Sequence, residues 1–165
     1  MSEILYSPWR INYILSKKED GCIFCLKPQA EEDEKHLILH RSDHSFVIMN
    51  LYPYNNGHLM IVPNKHVSNL SDLSEEELTD MMKLVQLCEK VMRKAYSPDG
   101  FNVGMNLGKA AGAGIDAHLH MHIVPRWHGD SNFMSVISGT RVIPESFEKA
   151  YNILKEQFDN AQNNK

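Results

Sequence analysis

The stretch Ala117–Trp127, AHLHMHIVPRW, alternates histidine with apolar residues: His118, His120 and His122 are separated by Leu119, Met121 and Ile123. In a strand, successive side chains point to opposite faces, so residues two apart share one. The spacing therefore predicts a strand over 118–124. It buries Leu119, Met121 and Ile123 against a helix and turns three imidazoles toward a cleft or solvent. A solvated strand face is served by Thr, Lys or Glu. Imidazole offers instead a charge change near neutrality and a nitrogen that can attack or bind a metal. A histidine-rich polar face and a three-histidine metal site remain rival readings. The metal site is geometrically demanding, because same-face strand residues lie roughly 6.5–7 Å apart and must converge on one tetrahedral ion.

The rest of the chain predicts the sheet this strand joins. Residues 37–40 and 45–50 read as two strands around Arg41-Ser42-Asp43, and Pro53 with Asn55-Asn56-Gly57 supplies turn chemistry before a third strand over 58–62. Ser74-Glu75-Glu76-Glu77 has the capping-box pattern. Leu78, Met81, Val85, Cys88, Met92 and Ala95 then recur at helical spacing until Pro98-Asp99-Gly100. Residues 101–107 suit another strand. A second helix is expected from about 144 to 158, with Phe147, Tyr151, Leu154 and Phe158 on one face and a frayed polar tail beyond. Strands before and after one long helix argue for α+β, with a mainly antiparallel sheet.

The 165 residues, 42% of them hydrophobic, fit a single domain over 1–165, with its core at about 20–135. No apolar run approaches the ~20 residues that span a bilayer. The start carries no signal-peptide pattern, and three cysteines do not make a secreted disulfide framework, so a cytoplasmic protein is expected. A net charge of −4 without a basic tract argues against binding nucleic acid. It leaves room for a small anion held by local donors.

Two further motifs carry chemistry. Gly104, Gly108, Gly112 and Gly114 crowd the approach to the histidines. Such a loop either connects two strands flexibly or lets backbone N–H groups cradle phosphate. Cys22-Ile-Phe-Cys25 has the spacing that brings two thiolates to one tetrahedral ion. A redox pair is its rival, disfavoured because no βαβ pattern precedes it. No neighbouring cysteine offers the two remaining ligands.

His118-Leu119-His120-Met121-His122-Ile123-Val124 resembles the signature of the histidine triad superfamily of nucleotide hydrolases and transferases. The likeness extends from about Cys22 to Phe133 and includes Asn50 and the Asn56-Gly57-His58 step. SPWRINYI, NLGKAAGAGI and HIVPRWHGDSNFM resemble the branch of bacterial diadenosine tetraphosphate phosphorylases and related hydrolases. The resemblance implies that His120 attacks an α-phosphate of a dinucleoside polyphosphate. A nucleotidyl-histidine forms and is resolved by phosphate or water. It puts His122, Asn106 and the backbone around Gly112, Gly114 and Ile115 at the phosphates. Asn50 falls at the ribose, its rival reading being a strand-end turn former; Ile48 and Leu51 fall near the base, with His58 in support. It further implies a structural zinc on Cys22, Cys25, His66 and His118, and a homodimer. Family members often carry Ser, Thr or Gln just before the triad, whereas this chain has Gly114-Ile115-Asp116-Ala117. That departure counts against the alternative of a nucleoside 5′-phosphoramidase. A nucleotide-binding module without turnover is the non-enzymatic alternative. His36, His40, His44 and His128 match nothing in the pattern, and Trp9 and Trp127 read as packing residues.

Overall fold

The computed structural model describes residues 21–30, 32–130 and 145–163. Among these, five strands form one antiparallel sheet: β1 (Ile38–Arg41), β2 (Ser45–Met49), β3 (Leu59–Pro63), β4 (Gly100–Met105) and β5 (Met121–Arg126), in the order β1-β2-β3-β5-β4. Two short helices, α1 (Ile23–Gln29) and α2 (Asp33–His36), precede the sheet. The long α3 (Glu75–Tyr96) separates β3 from β4, and α4 (Phe147–Asn163) closes the chain. This is the α+β arrangement expected.

α3 starts where its capping box falls. Ser74 Oγ accepts from the Glu77 N–H at 3.3 Å, and Glu77 Oε2 accepts from the Ser74 N–H at 2.7 Å, an arrangement worth about 1 kcal/mol. Met81, Leu84, Cys88, Val91 and Met92 then make its buried stripe. With Ala150, Tyr151, Leu154 and Phe158 of α4, they cover one sheet face, meeting Val47, Met49, Leu59, Ile61, Leu119, Met121 and Ile123. The opposite face carries a smaller cluster of Phe24, Ile38, Phe46, Ile48, Met60 and Val62, with Ile115 against it. Period-two alternation thus places every second residue of β2, β3 and the triad segment on the helix side. The intervening ones look toward α1.

Several boundaries differ from expectation. The last strand begins at Met121, so only His122 of the triad lies in the ladder. The Leu119 N–H donates instead to the Val67 carbonyl at 2.6 Å, drawing Ala117–His120 toward the segment after β3. The alternation survives this departure, with Leu119 in the helix-side core and His118 and His120 buried on the other side. The strand expected over 101–107 stops at Met105. The final helix begins at Phe147, residue 144 lying outside the described residues, and it runs past Phe158 to Asn163. Gln162 Nε2 lies 2.8 Å from His40 Nδ1, which ties down a turn expected to fray. The helices α1 and α2 were absent from the expectation, being too short to carry a periodic signal.

Candidate functional site

The α1 face of the sheet holds two clusters of imidazoles joined at residues 118–120. In the first, His118 is fully buried, and its Nε2–H donates to the Pro63 carbonyl at 2.9 Å. That bond leaves the Nδ1 lone pair facing three other ligand atoms. Nδ1 lies 3.3 Å from Cys22 Sγ, 3.5 Å from Cys25 Sγ and 3.2 Å from His66 Nδ1, and Cys25 Sγ is 3.3 Å from His66 Nδ1. All four donor atoms lie within 4.8 Å of one another. A tetrahedral ion about 2.3 Å from sulfur and about 2.0–2.1 Å from nitrogen sets donor–donor edges of roughly 3.3–3.8 Å. The cluster therefore fits a metal ion, with two soft and two borderline ligands. It gathers the start of α1, the loop after β3 and the residue two before His120.

In the second cluster the ring nitrogens form a chain. The Tyr54 N–H donates to His58 Nδ1 at 3.0 Å, and the Asn50 amide lies 3.3 Å from the same nitrogen. His58 therefore carries its proton on Nε2 and donates it to His122 Nδ1 at 2.9 Å. His122 in turn carries its proton on Nε2. His120 Nδ1 donates to the His118 carbonyl at 2.9 Å, leaving the His120 Nε2 lone pair unused. The rings of His120 and His122 stand edge to face with centroids 4.9 Å apart. Burial, then the neighbouring rings of His122 and His120, lowers the pKa of His58 to about 3. Burial and His120 bring that of His122 to about 4. Both are neutral donors and acceptors near pH 7.

A cleft of about 250 Å³ opens in front of this chain. Ile48, Asn50, Leu51, Asn106, Gly112, Gly114, Ile115, His120 and His122, all singled out from sequence, line it together. His58 is the exception: at 1% exposure it lies behind the wall, bonded to His122 rather than facing the cleft. In the glycine segment, Gly108 and Gly112 take φ of +79° and +90°, flanking a 3₁₀ turn over Lys109–Ala111. A β-carbon is strained in that conformation. Gly104 sits instead in β4, opposite His122.

Sequence reasoning missed Ile23, Phe24, Lys27, Tyr52, Tyr54 and Met60 in the lining. Ile23 and Phe24 stand between the two cysteines, so the chelating motif itself named them. Tyr54 hid in a segment read only as a turn; its ring stacks over His122 at 5.6 Å. Of the histidines set aside, His128 pairs with Asp99 at 2.8 Å and His40 stacks on Phe158. Trp127 donates from its indole to the Tyr96 carbonyl at 3.3 Å, and Trp9 lies outside the described residues.

The site is thus built on an antiparallel sheet, backed by two helices on one face and bearing a histidine-lined cleft beside a Cys/His cluster on the other. The chain belongs to the HIT family: the pattern described as HIT domain matches residues 30–129. A protein of Mycobacterium tuberculosis named AP-4-A phosphorylase is 38% identical over 162 residues, spanning 93% of this chain and 83% of its own length. The bis(5′-nucleosyl)-tetraphosphatase [asymmetrical] of Schizosaccharomyces pombe is 34% identical over 93 residues, or 56% of this chain and 50% of that one. Among solved structures, a zinc-bound histidine triad family protein of Mycobacterium smegmatis superposes with a TM-score of 0.71 at 25% identity. That match covers 88% of this chain and 98% of its counterpart.

Proposed function

We propose that this protein cleaves dinucleoside polyphosphates of the diadenosine tetraphosphate type at an α-phosphate, through a nucleotidyl intermediate on His120. The observation that carries the reading is the split of tautomers in the cleft: one imidazole with a free lone pair beside one with a free N–H. His120 Nε2 attacks the α-phosphorus and the anhydride bond breaks. The positive charge developing on the ring is met by the His118 carbonyl at Nδ1–H. His122 Nε2–H donates to a phosphate oxygen, joined by Asn106 and the backbone of Gly112, Gly114 and Ile115. Asn50 takes the ribose hydroxyls, with Ile48 and Leu51 at the base. His58 holds His122 in its donor tautomer.

Inorganic phosphate is the favoured second acceptor, because the relative covering 93% of the chain is named a phosphorylase. Phosphate attack on the intermediate releases ADP after ATP has left; water would release AMP. A zinc ion suits the Cys22, Cys25, His66 and His118 cluster. It would tie α1 and the loop after β3 to the segment that carries His120. Thiolate ligands and the free Cys88 suit a reducing, cytoplasmic compartment. A homodimer through β4 is part of the same reading: among the described residues β4 pairs only with β5, and Val103 on it is 48% exposed. Sedimentation measures that directly.

The test is incubation with diadenosine tetraphosphate, with and without inorganic phosphate, followed by separation of the nucleotides. ADP plus ATP formed only with phosphate supports phosphorolysis. AMP plus ATP without it keeps the intermediate and makes water the acceptor. Two ADP without phosphate, or no product, overturns the reading. His120→Asn is expected to lose roughly a thousand-fold or more in turnover while nucleotide binding survives.

A further inference from the structure

The nine residues from Asn50 to His58 form the loop that carries one candidate nucleoside ligand at its start and the His122-orienting imidazole at its end. Inside the loop, the Asn50 N–H donates to the His58 carbonyl at 3.0 Å and the His58 N–H to the Asn55 carbonyl at 3.2 Å. Its outer turn is held by two carboxylates that line neither the triad nor the phosphate loop. Asn55 Nδ2 donates to Asp130 Oδ2 at 2.8 Å and to the Pro125 carbonyl at 3.2 Å. Asn56 Nδ2 donates to Glu145 Oε2 at 3.1 Å, and the same oxygen accepts from the Tyr96 hydroxyl at 2.8 Å. The two carboxylates arrive from different places, Asp130 from beyond β5 and Glu145 from just before α4, yet they seize consecutive residues.

Both acids are mostly covered, with side chains 10% and 11% exposed. A covered carboxylate is costly to leave unbonded, so each fixes the position of its donors more stringently than an exposed one would. Arg126 neutralises Asp130 through two bonds, at 2.6 and 2.8 Å. Burial alone would raise the pKa of Glu145, but bonds from Asn56, Tyr96 and Lys149 hold it below the usual carboxylate range. The turn has no slack on its inner side either. Gly57 has φ +71°, and a β-carbon there would stand 3.2 Å from the Tyr96 ring.

We propose that Asp130 and Glu145 are positioning residues for the nucleotide site: by fixing Asn55 and Asn56 they set the loop that aligns Asn50 and holds His58 against His122. The kinetic consequence rests on the nucleotidyl-transfer reading; the geometric one does not. A donor–acceptor reversal tests both. Asn56→Asp sets two carboxylates against each other and displaces the turn. Adding Glu145→Gln restores a bond of opposite polarity between the same positions.

Asn56→Asp is expected to lower kcat/KM for diadenosine tetraphosphate about ten-fold, with the double variant recovering to within about three-fold of wild type. The ¹⁵N-imidazole resonances of His58 and His122, read by NMR on the free protein, should move in the single variant and return in the double. A double variant no better than Asn56→Asp in either readout overturns the clamp, as do unchanged imidazole resonances in the single. If Asn56→Asp does not fold, Glu145→Leu, which removes the acceptor of both the Asn56 and the Tyr96 bonds, carries the test. It should shift the same resonances, and its failure to do so is equally fatal. A wild-type protein inactive on every dinucleotide sinks the functional reading while the resonances still decide the clamp.

Discussion

Two clusters of imidazoles lie side by side in this molecule, and they differ in where each ring sends its second nitrogen. At the Cys/His cluster, His118 spends Nε2–H on a backbone carbonyl and points Nδ1 at the same place as His66, Cys22 and Cys25. In the cleft, the rings pass hydrogen bonds along, from Tyr54 N–H to His58 to His122, and His120 keeps a lone pair in reserve. Converging lone pairs repel unless a cation lies between them. A chain of alternating donors and acceptors needs none. The same residue type, two positions apart in sequence, thus faces a cluster that fits a metal ion in one place and the cleft of the proposed phosphate chemistry in the other. His118 belongs to both, its ring in the first cluster and its carbonyl oxygen accepting from His120 in the second.

The largest effect expected comes from breaking the converging cluster. Cys25→Ser removes one thiolate and should abolish metal retention at equimolar stoichiometry. Structural zinc in small peptides carries about 10–16 kcal/mol of apparent binding energy. Only part of that reaches stability in a domain with its own core, so a loss of several kcal/mol is expected. Metal analysis with thermal melting checks it. A variant as stable as wild type, together with metal-free wild-type protein, would refute the metal centre.

The cleft should respond in the opposite way, losing activity with its metal intact. His58→Leu removes the donor that fixes the His122 tautomer and is expected to cost on the order of a hundred-fold in kcat/KM. His58→Gln, whose amide can still donate toward His122 Nδ1, should recover part of that. Equal losses in the two variants would mean that bulk, not the hydrogen bond, is what His58 supplies.

A smaller effect separates the clusters by pH. Folded His58 and His122 stay neutral down to about pH 3 and about pH 4, whereas unfolded imidazole titrates near 6.5. Between those limits the unfolded chain binds more protons, so stability rises with pH toward 6.5 and falls as pH drops toward 4. Each group contributes a slope of at most about 1.4 kcal/mol per pH unit. Denaturant titrations from pH 7 to pH 4.5 measure it, and His122→Asn should flatten the slope. An unaltered slope in that variant would contradict a neutral, half-buried His122.

How much of this was legible beforehand follows from how local each signal is. The triad, the CxxC pair and the Ser74 cap announce themselves because neighbours in sequence supply the pattern. The faces assigned to Leu119, Met121 and Ile123 held even where the ladder did not, since alternation needs only an extended backbone. The start of β5 at Met121 was not legible, because it is decided by the distant Val67 carbonyl that captures Leu119. Nor were Tyr54 and Lys27 as lining residues, or Asp130 and Glu145 at the turn. Each gains its place from contacts many residues away, and a single carboxylate or aromatic carries no spacing to betray it. His66 entered only by resemblance, and the structure sets it 3.2 Å from His118, 52 positions away.

Phe24 is where the two clusters meet, and it supports the mildest prediction. It is 2% exposed, its ring edge-on to His118 at 5.6 Å and tilted against His120 at 5.2 Å. This apolar ring packs against one imidazole of each cluster, a partition between them, and α1 carries it between the two cysteines. Phe24→Leu preserves most of the apolar volume and is expected to cost about 1 kcal/mol in stability. It should also bring a few-fold loss in kcat/KM as His120 gains freedom, with metal content unchanged. Melting, metal analysis and steady-state kinetics on one preparation distinguish the outcomes. Loss of metal without loss of rate would put Phe24 wholly in the first cluster. Loss of rate at full stability would put it wholly in the cleft, and either result would dissolve its place as a partition.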